Sequence, residues 1–245
     1  MRNSLLMMGI VMALAAPRIS SAGSKNVNTG QTVDSGSFHV YVNGRRIATE
    51  TFRILQGAQT STATSELKVD DGANQASQTS ELQFYANGDL RRYQWRELSP
   101  GKDRTVVEPS EQFLIEHLVP TLPQKPQDVP FMLPVSTAIL DDYFFAHREL
   151  LAWRFLAQNC RSSSGQVECK LGKSEFGTLI PRQHTSMVVS VEFTGKEKIK
   201  LRGAERELNR VNLRGEGVDW ALWLDDQYKL VRILIAAENT EVLRE

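Results

Sequence analysis

Cysteine is scarce in this 245-residue sequence: Cys160 and Cys169 are the only two. With none before Cys160, a lipid-modified N-terminal cysteine is excluded. Long apolar runs are lacking too. The one candidate, Leu5 to Ala16, is shorter than the roughly 20 apolar residues of a bilayer-spanning helix. No surplus of basic charge exists either, since 29 Lys and Arg stand against 29 Asp and Glu. A nucleic-acid binder gains affinity by neutralising phosphates, so this balance argues against that class.

The motifs of catalysis are missing as well. No Gly-x-Ser-x-Gly elbow occurs, and its nearest approach, "GKSEFG" at 172–177, has Phe176 where the second glycine belongs. Gly195-Lys196 is followed by Glu197 and lacks the upstream glycine of a phosphate loop. There is no His-Glu-x-x-His, and His39, His117, His147 and His184 lie far apart in the chain. No catalytic residue, metal site or cofactor is therefore assigned.

What is present begins with Arg2, the apolar run, and the small-residue segment "PRISSAGS". This pattern predicts a signal peptide over 1–22, cleaved near Ala22, and hence a periplasmic or secreted protein with no transmembrane anchor after cleavage. Cleavage removes Arg2 and Arg18 and no acid, leaving 27 basic against 29 acidic side chains. A flexible segment is expected over 23–35, then a single domain over 36–245.

From Gly36 onward apolar and polar residues alternate, as strands with one buried face require. "FHVYV" precedes Asn43-Gly44, a hairpin dipeptide whose residues tolerate positive φ. "RRIATETFRIL" follows, with Ile47, Thr49, Thr51 and Arg53 on one face. "QASQTSELQFYA" and "DLRRYQWREL" flank Asn87-Gly88, and Tyr93 and Trp95 share a face there. Period two returns in "SMVVSVEF", "KEKIKLR", "RELNRVNLR", "VDWALWL" and "YKLVRILIA", with turns expected at Thr194-Gly195, Gly203, Gly215–Gly217 and Asp225-Asp226. Ten or more strands without alternating helices predict one antiparallel sheet rather than parallel βαβ units.

Five of the nine prolines fall in "PTLPQKPQDVPFMLP". Proline lacks a backbone donor, so 119–134 reads as an extended loop. A helix is expected over 138–157, capped by Ser136 or Thr137, with Asp141 and Asp142 in its first turns. At about 100° per residue Ile139, Leu140, Tyr143, Phe144, Leu150, Leu151 and Phe155 share a broad arc, with His147 near its middle and Arg154 two turns on. His147 admits two readings: a core histidine with one hydrogen bond to backbone, or a polar contact to a ligand. Arg154 has the same ambiguity, because its stem packs while its head reaches water.

Cys160 and Cys169 enclose the polar loop 160–169, and in an exported protein such a pair predicts a disulfide. The acidic pairs Asp70-Asp71, Asp141-Asp142 and Asp225-Asp226 sit where turns or a helix start need them. Lys196, Lys198, Lys200 and Arg202 form a basic stripe that suits either an edge strand guarded against pairing or an anionic surface.

"HVYVNGRRIATETFRI" and "VDWALWLDDQYKLVRILI" resemble a family of exported bacterial proteins of unknown function, most strongly over 35–55 and 205–243. The resemblance implies a lipoprotein-carrier-like antiparallel half-barrel closed by a helix, with an apolar interior that accepts lipid. The fold expected is all-β with one central helix, a curved antiparallel sheet plugged by that helix. The expected function is binding or carriage of a hydrophobic or amphipathic small molecule, such as a lipid or glycolipid. Its lining would come from Tyr93, Trp95, Trp220 and Leu222 on the sheet and Tyr143, Phe144, His147 and Leu151 on the helix. The alternatives are a protein-interaction module of the cell envelope with a filled core and, least favoured, a hydrolase using His147.

Overall fold

The computed structural model describes residues 30–245 except 73, 164, 165 and 171. The expected signal peptide over 1–22 lies outside the described residues, as do residues 23–29 of the segment that follows it.

The first wing of the sheet is an eight-strand meander. It comprises β1 (Gln31–Val42), β2 (Arg45–Gln56), β3 (Thr60–Asp71), β4 (Asn74–Tyr85), β5 (Leu90–Ser99), β6 (Arg104–Ser110), β7 (Phe113–Val119) and β8 (Gln127–Phe131). The short β9 (Ala138–Ile139) then leads to the helix α1 (Ala146–Asn159) and the hairpin of β10 (Cys160–Ser163) and β11 (Gln166–Cys169). The second wing is β12 (Gly172–Ile180), β13 (Thr185–Leu201), β14 (Ala204–Gly215), β15 (Val218–Leu224), β16 (Leu230–Ile235) and β17 (Thr240–Arg244). The wings join where β1 pairs with β17, so the first and last strands lie in the interior of one curved, unclosed sheet of 15 described strands. Pairing is antiparallel throughout except where β9 runs parallel to β12.

Local chemistry explains most of the turns. At Asn43-Gly44 both residues have positive φ, 50° and 75°, as a tight hairpin demands. On β2 the inward positions Ala48, Glu50, Phe52 and Ile54 are buried, while Thr51 and Arg53 face solvent. Thr194-Gly195 does not turn the chain. It lies inside the 17-residue β13, where the register against β14 shifts between Phe193 and Gly195, and Gly195 takes the positive φ of such a bulge. β12 pairs with β13 only up to Phe193, so Gly195–Leu201 is bonded on one side alone. That is the edge the lysine stripe occupies, with Lys196 paired to Asp226 at 2.9 Å.

Three further expectations are corrected. Residues 31–35 are not a flexible lead-in: they extend β1 and pair with β2. The proline-rich loop contains β8, whose Pro130 sits opposite Ile115 on an edge strand, the place in a sheet where proline is tolerated. The helix begins at Ala146 rather than residue 138, because Ala138 and Ile139 bond to Thr178 and Leu179 on β12 and Leu140 donates to the Leu179 carbonyl. Tyr143, at φ 61°, breaks the backbone before α1.

The helix lies in the concavity and packs Leu151, Ala152, Phe155 and Leu156 against both wings. No side chain of its own caps the N-terminus. Glu50 on β2 does so instead, its carboxylate accepting from the Phe145 N–H at 2.6 Å and, more weakly, the Ala146 N–H. Among the described residues no helix is long and apolar enough to cross a membrane.

Cys160 and Cys169 face each other across the β10–β11 hairpin and are joined as a disulfide. Replacing both with serine is expected to lower the unfolding free energy by about 2–3 kcal/mol, from restored loop entropy in the unfolded chain. Urea denaturation of the variant checks this, with a shifted midpoint and an unchanged slope as the expected outcome.

Candidate functional site

The concave face is divided. Around the N-terminal end of α1 it is filled by a polar and aromatic cluster to which both wings contribute, Gln78 and Tyr93 from the first and Arg182 and Trp220 from the second. Tyr93 is fully buried and donates to Asp141, which also receives the Arg182 Nε at 3.0 Å on each carboxylate oxygen. Arg182 reaches Gln78 Oε1 at 2.8 Å, and so ties the one-turn helix between β12 and β13 to β4. Arg148, buried, donates to the carbonyls of Asp141 and Phe144 and stacks 4.5 Å from the Trp220 ring. Burial pushes the Asp141 carboxyl above its ordinary range against the opposing pull of Arg182 and Tyr93. Burial and the Asp141 charge together raise the Tyr93 hydroxyl far beyond its usual value.

Along α1 itself the same face is left open toward parts of β1–β5. A cavity of about 550 Å³ lies between these strands and α1. Its deep walls are buried: Ile54, Leu82 and Leu90 from the sheet, Thr137 and Ile139 from the segment before the helix, and His147 and Leu151 from the helix. Its mouth is made by exposed residues, among them Tyr85 and Asn87 of the β4–β5 turn and Ala157 and Gln158 at the end of α1. Between floor and mouth run Val33, Phe84, Leu150, Trp153 and Arg154. Trp153 is fixed by a 2.6 Å hydrogen bond from its Nε1 to the Tyr228 carbonyl, which stiffens that wall.

Of the eight residues expected to line a ligand pocket, His147 and Leu151 line this cavity. Tyr93, Phe144, Trp220 and Leu222 are buried in the filled half instead, where the two arginines need aromatic faces and acceptors. Trp95 is half-buried, its Nε1 donating to Gln78 Oε1 at 3.1 Å. Tyr143 is 48% exposed, turned outward at the left-handed position before the helix.

His147 is 2% exposed, and its Nδ1 has no hydrogen-bond partner among the described residues. The backbone bond expected of a core histidine is thus not made by that atom. Its ring meets Tyr93 edge-on, centroids 5.7 Å apart. Burial, with the nearby Arg148 and Arg182 charges, drives its pKa well below the usual value, so the imidazole is neutral. Thr137 Oγ1 and Arg154 Nε are likewise buried without a partner, and both residues line the same cavity.

No family model, curated protein or solved structure matches this chain. Sequence reasoning missed Ile54, Leu82, Thr137 and Leu150. The strand members were legible as inward positions of a period-two run, and the helix members share the spacing 147, 150, 151, 154, 157 and 158.

A second hollow of about 660 Å³ lies over β2–β5 and is lined by Thr51, Arg53, Thr64, Glu66, Arg92 and Arg96 among others. These are largely outward-facing polar side chains, which makes it a poor container for an apolar chain.

Proposed function

We propose that this protein binds or carries a hydrophobic or amphipathic small molecule, such as a lipid, in the periplasm or outside the cell. The supporting observation is the cavity of about 550 Å³ between α1 and β1–β5, with mainly apolar buried walls and an open mouth. Its size falls in the range of about 300–1,000 Å³ common to small-molecule sites, and a few polar groups on apolar walls are what such sites use for orientation.

Filling the space tests this reading. Leu82→Trp and Leu151→Trp project extra volume from opposite walls, the sheet and the helix. Each is expected to weaken binding of a polarity-sensitive naphthylamine probe at least about tenfold, with a thermal unfolding temperature near that of the parent. Unchanged probe binding in both variants, or no saturable binding by the parent, would contradict the proposal.

A further inference from the structure

Resting on that reading of the cavity, we infer that its ligand is a single-chain amphiphile with an anionic head held by Arg154 and a hydroxyl or carbonyl partway along its chain that meets His147. The two residues lie seven positions apart on α1, hence on one face and about 10 Å apart along the helix axis. Leu150 and Leu151 fill the interval between them and face the same cavity.

Among the described residues Arg154 forms no ion pair. Its Nη1 donates to the Ser136 carbonyl at 2.8 Å and approaches the Gly88 carbonyl at 3.5 Å, and no carboxylate lies within salt-bridge distance among the described residues. The two carbonyls hold the guanidinium at the cavity wall, over Gly88, where an added Cβ would come within 3.3 Å of Nε. Gly88 is thereby the residue that lets the arginine lie flat against the β4–β5 turn. Nearby Asp89 acts on Arg154 only at longer range. A fixed guanidinium beside apolar walls selects a carboxylate or similar anion over a neutral head.

His147 supplies the second anchor. It is buried in the cavity wall, neutral, with Nδ1 unpartnered, and Thr137 of the same wall also has an unpartnered hydroxyl. Buried polar side chains in native proteins nearly always have partners, and three orphans round one apolar cavity point to a partner that the chain itself does not provide. A neutral imidazole is both donor and acceptor, which fits a hydroxyl or carbonyl better than a second charge. Ordered water alone is the competing occupant, and it would show no preference among amphiphiles.

The test compares octadecanoate, octadecanol and an octadecanoate hydroxylated near mid-chain, by displacement of the naphthylamine probe from the full chain. The expected order of affinity is hydroxylated acid, then acid, then alcohol, each step about tenfold, the size of one hydrogen bond to a charged or buried group. Arg154→Gln is expected to abolish the gap between acid and alcohol while leaving the hydroxyl preference. His147→Phe is expected to do the converse. Acid and alcohol binding alike to the parent protein overturns the anionic head, and the two acids binding alike overturns the role of His147. If the probe binds but none of the three displaces it, the inference fails while the cavity remains a ligand site. If the probe does not bind either, the proposed function itself fails.

Discussion

Glu50→Ala is expected to lower stability by about 3 kcal/mol. The side chain is wholly buried, accepts the Ser65 hydroxyl at 2.6 Å, and caps the start of α1 through Phe145 and Ala146. Removing it strands those donors in the interior and opens a void beneath the helix, each a recognised source of a large penalty. Glu50→Gln keeps an acceptor for the helix and a donor for Ser65, so it should fold close to normally. Chemical denaturation of both variants separates a capping role from mere volume.

The same residue gives the protein a pH dependence of definite sign. Burial raises the Glu50 carboxyl from 4.5 to about 7, against the pull of Ser65 and the helix N–H groups. A proton bound more tightly in the folded state stabilises it. That contribution is complete below the unfolded value, falls as pH rises from 4.5 through about 7, and levels off above. Its size is on the order of 3 kcal/mol. Glu149 shifts in the same direction, chiefly from burial and then from the Asp34 charge beside it. The unfolding free energy of the parent should therefore decline between pH 5 and pH 8, and Glu50→Gln should flatten most of that decline, ending more stable than the parent above about pH 7. Equal slopes in the two proteins would contradict the assignment.

Arg244→Met is expected to cost about 3–5 kcal/mol, the penalty for leaving a buried charge without its partner. Arg244 sits on β17 at the seam of the wings, opposite Phe38 on β1. Its guanidinium grips both Asp34 oxygens, at 2.9 and 2.6 Å, donates to the Leu230 and Ser35 carbonyls, and lies over Phe52 with Cζ 5.2 Å from the ring centroid. Burial works to raise the Asp34 pKa, but Arg244 and Lys229 hold it below the ordinary value. In the variant Asp34 loses both guanidinium bonds and retains the Lys229 ammonium, at 3.3 Å, and the Ser35 N–H, at 2.9 Å. Its pKa must then rise, so the deficit of the variant should shrink as pH falls toward 4 and grow again at neutrality. Asp34→Asn in the same background should recover part of the loss, and a double-mutant cycle gives the coupling directly.

These two clusters also mark the limit of what was legible in the sequence. Period-two alternation and the Asn43-Gly44 signal are local, so β1, β2 and their turn follow from short-range sterics and one buried face. Glu50 and Asp34 are acids at inward positions of otherwise apolar alternations, and their partners Phe145 and Arg244 lie 95 and 210 residues away. Nothing local announces such a partner. The helix start failed for a related reason: Ile139, Leu140, Tyr143 and Phe144 fit a helical arc, yet pairing with Leu179 on β12 holds Ile139 and Leu140 extended. The site was half legible. Of the helix face expected to line a pocket, His147 and Leu151 border the cavity and Tyr143 and Phe144 do not, because which part of the concavity is filled depends on Arg148 and Arg182 meeting Asp141 there.

Native mass spectrometry of the protein purified without detergent tests the central claim most directly, namely that the space between α1 and β1–β5 is a container rather than a packing defect. A population carrying one bound molecule of a few hundred daltons, released by organic extraction and lost in Leu151→Trp, is the expected result. A spectrum showing only the bare chain, unchanged after incubation with long-chain acids and alcohols, would contradict it.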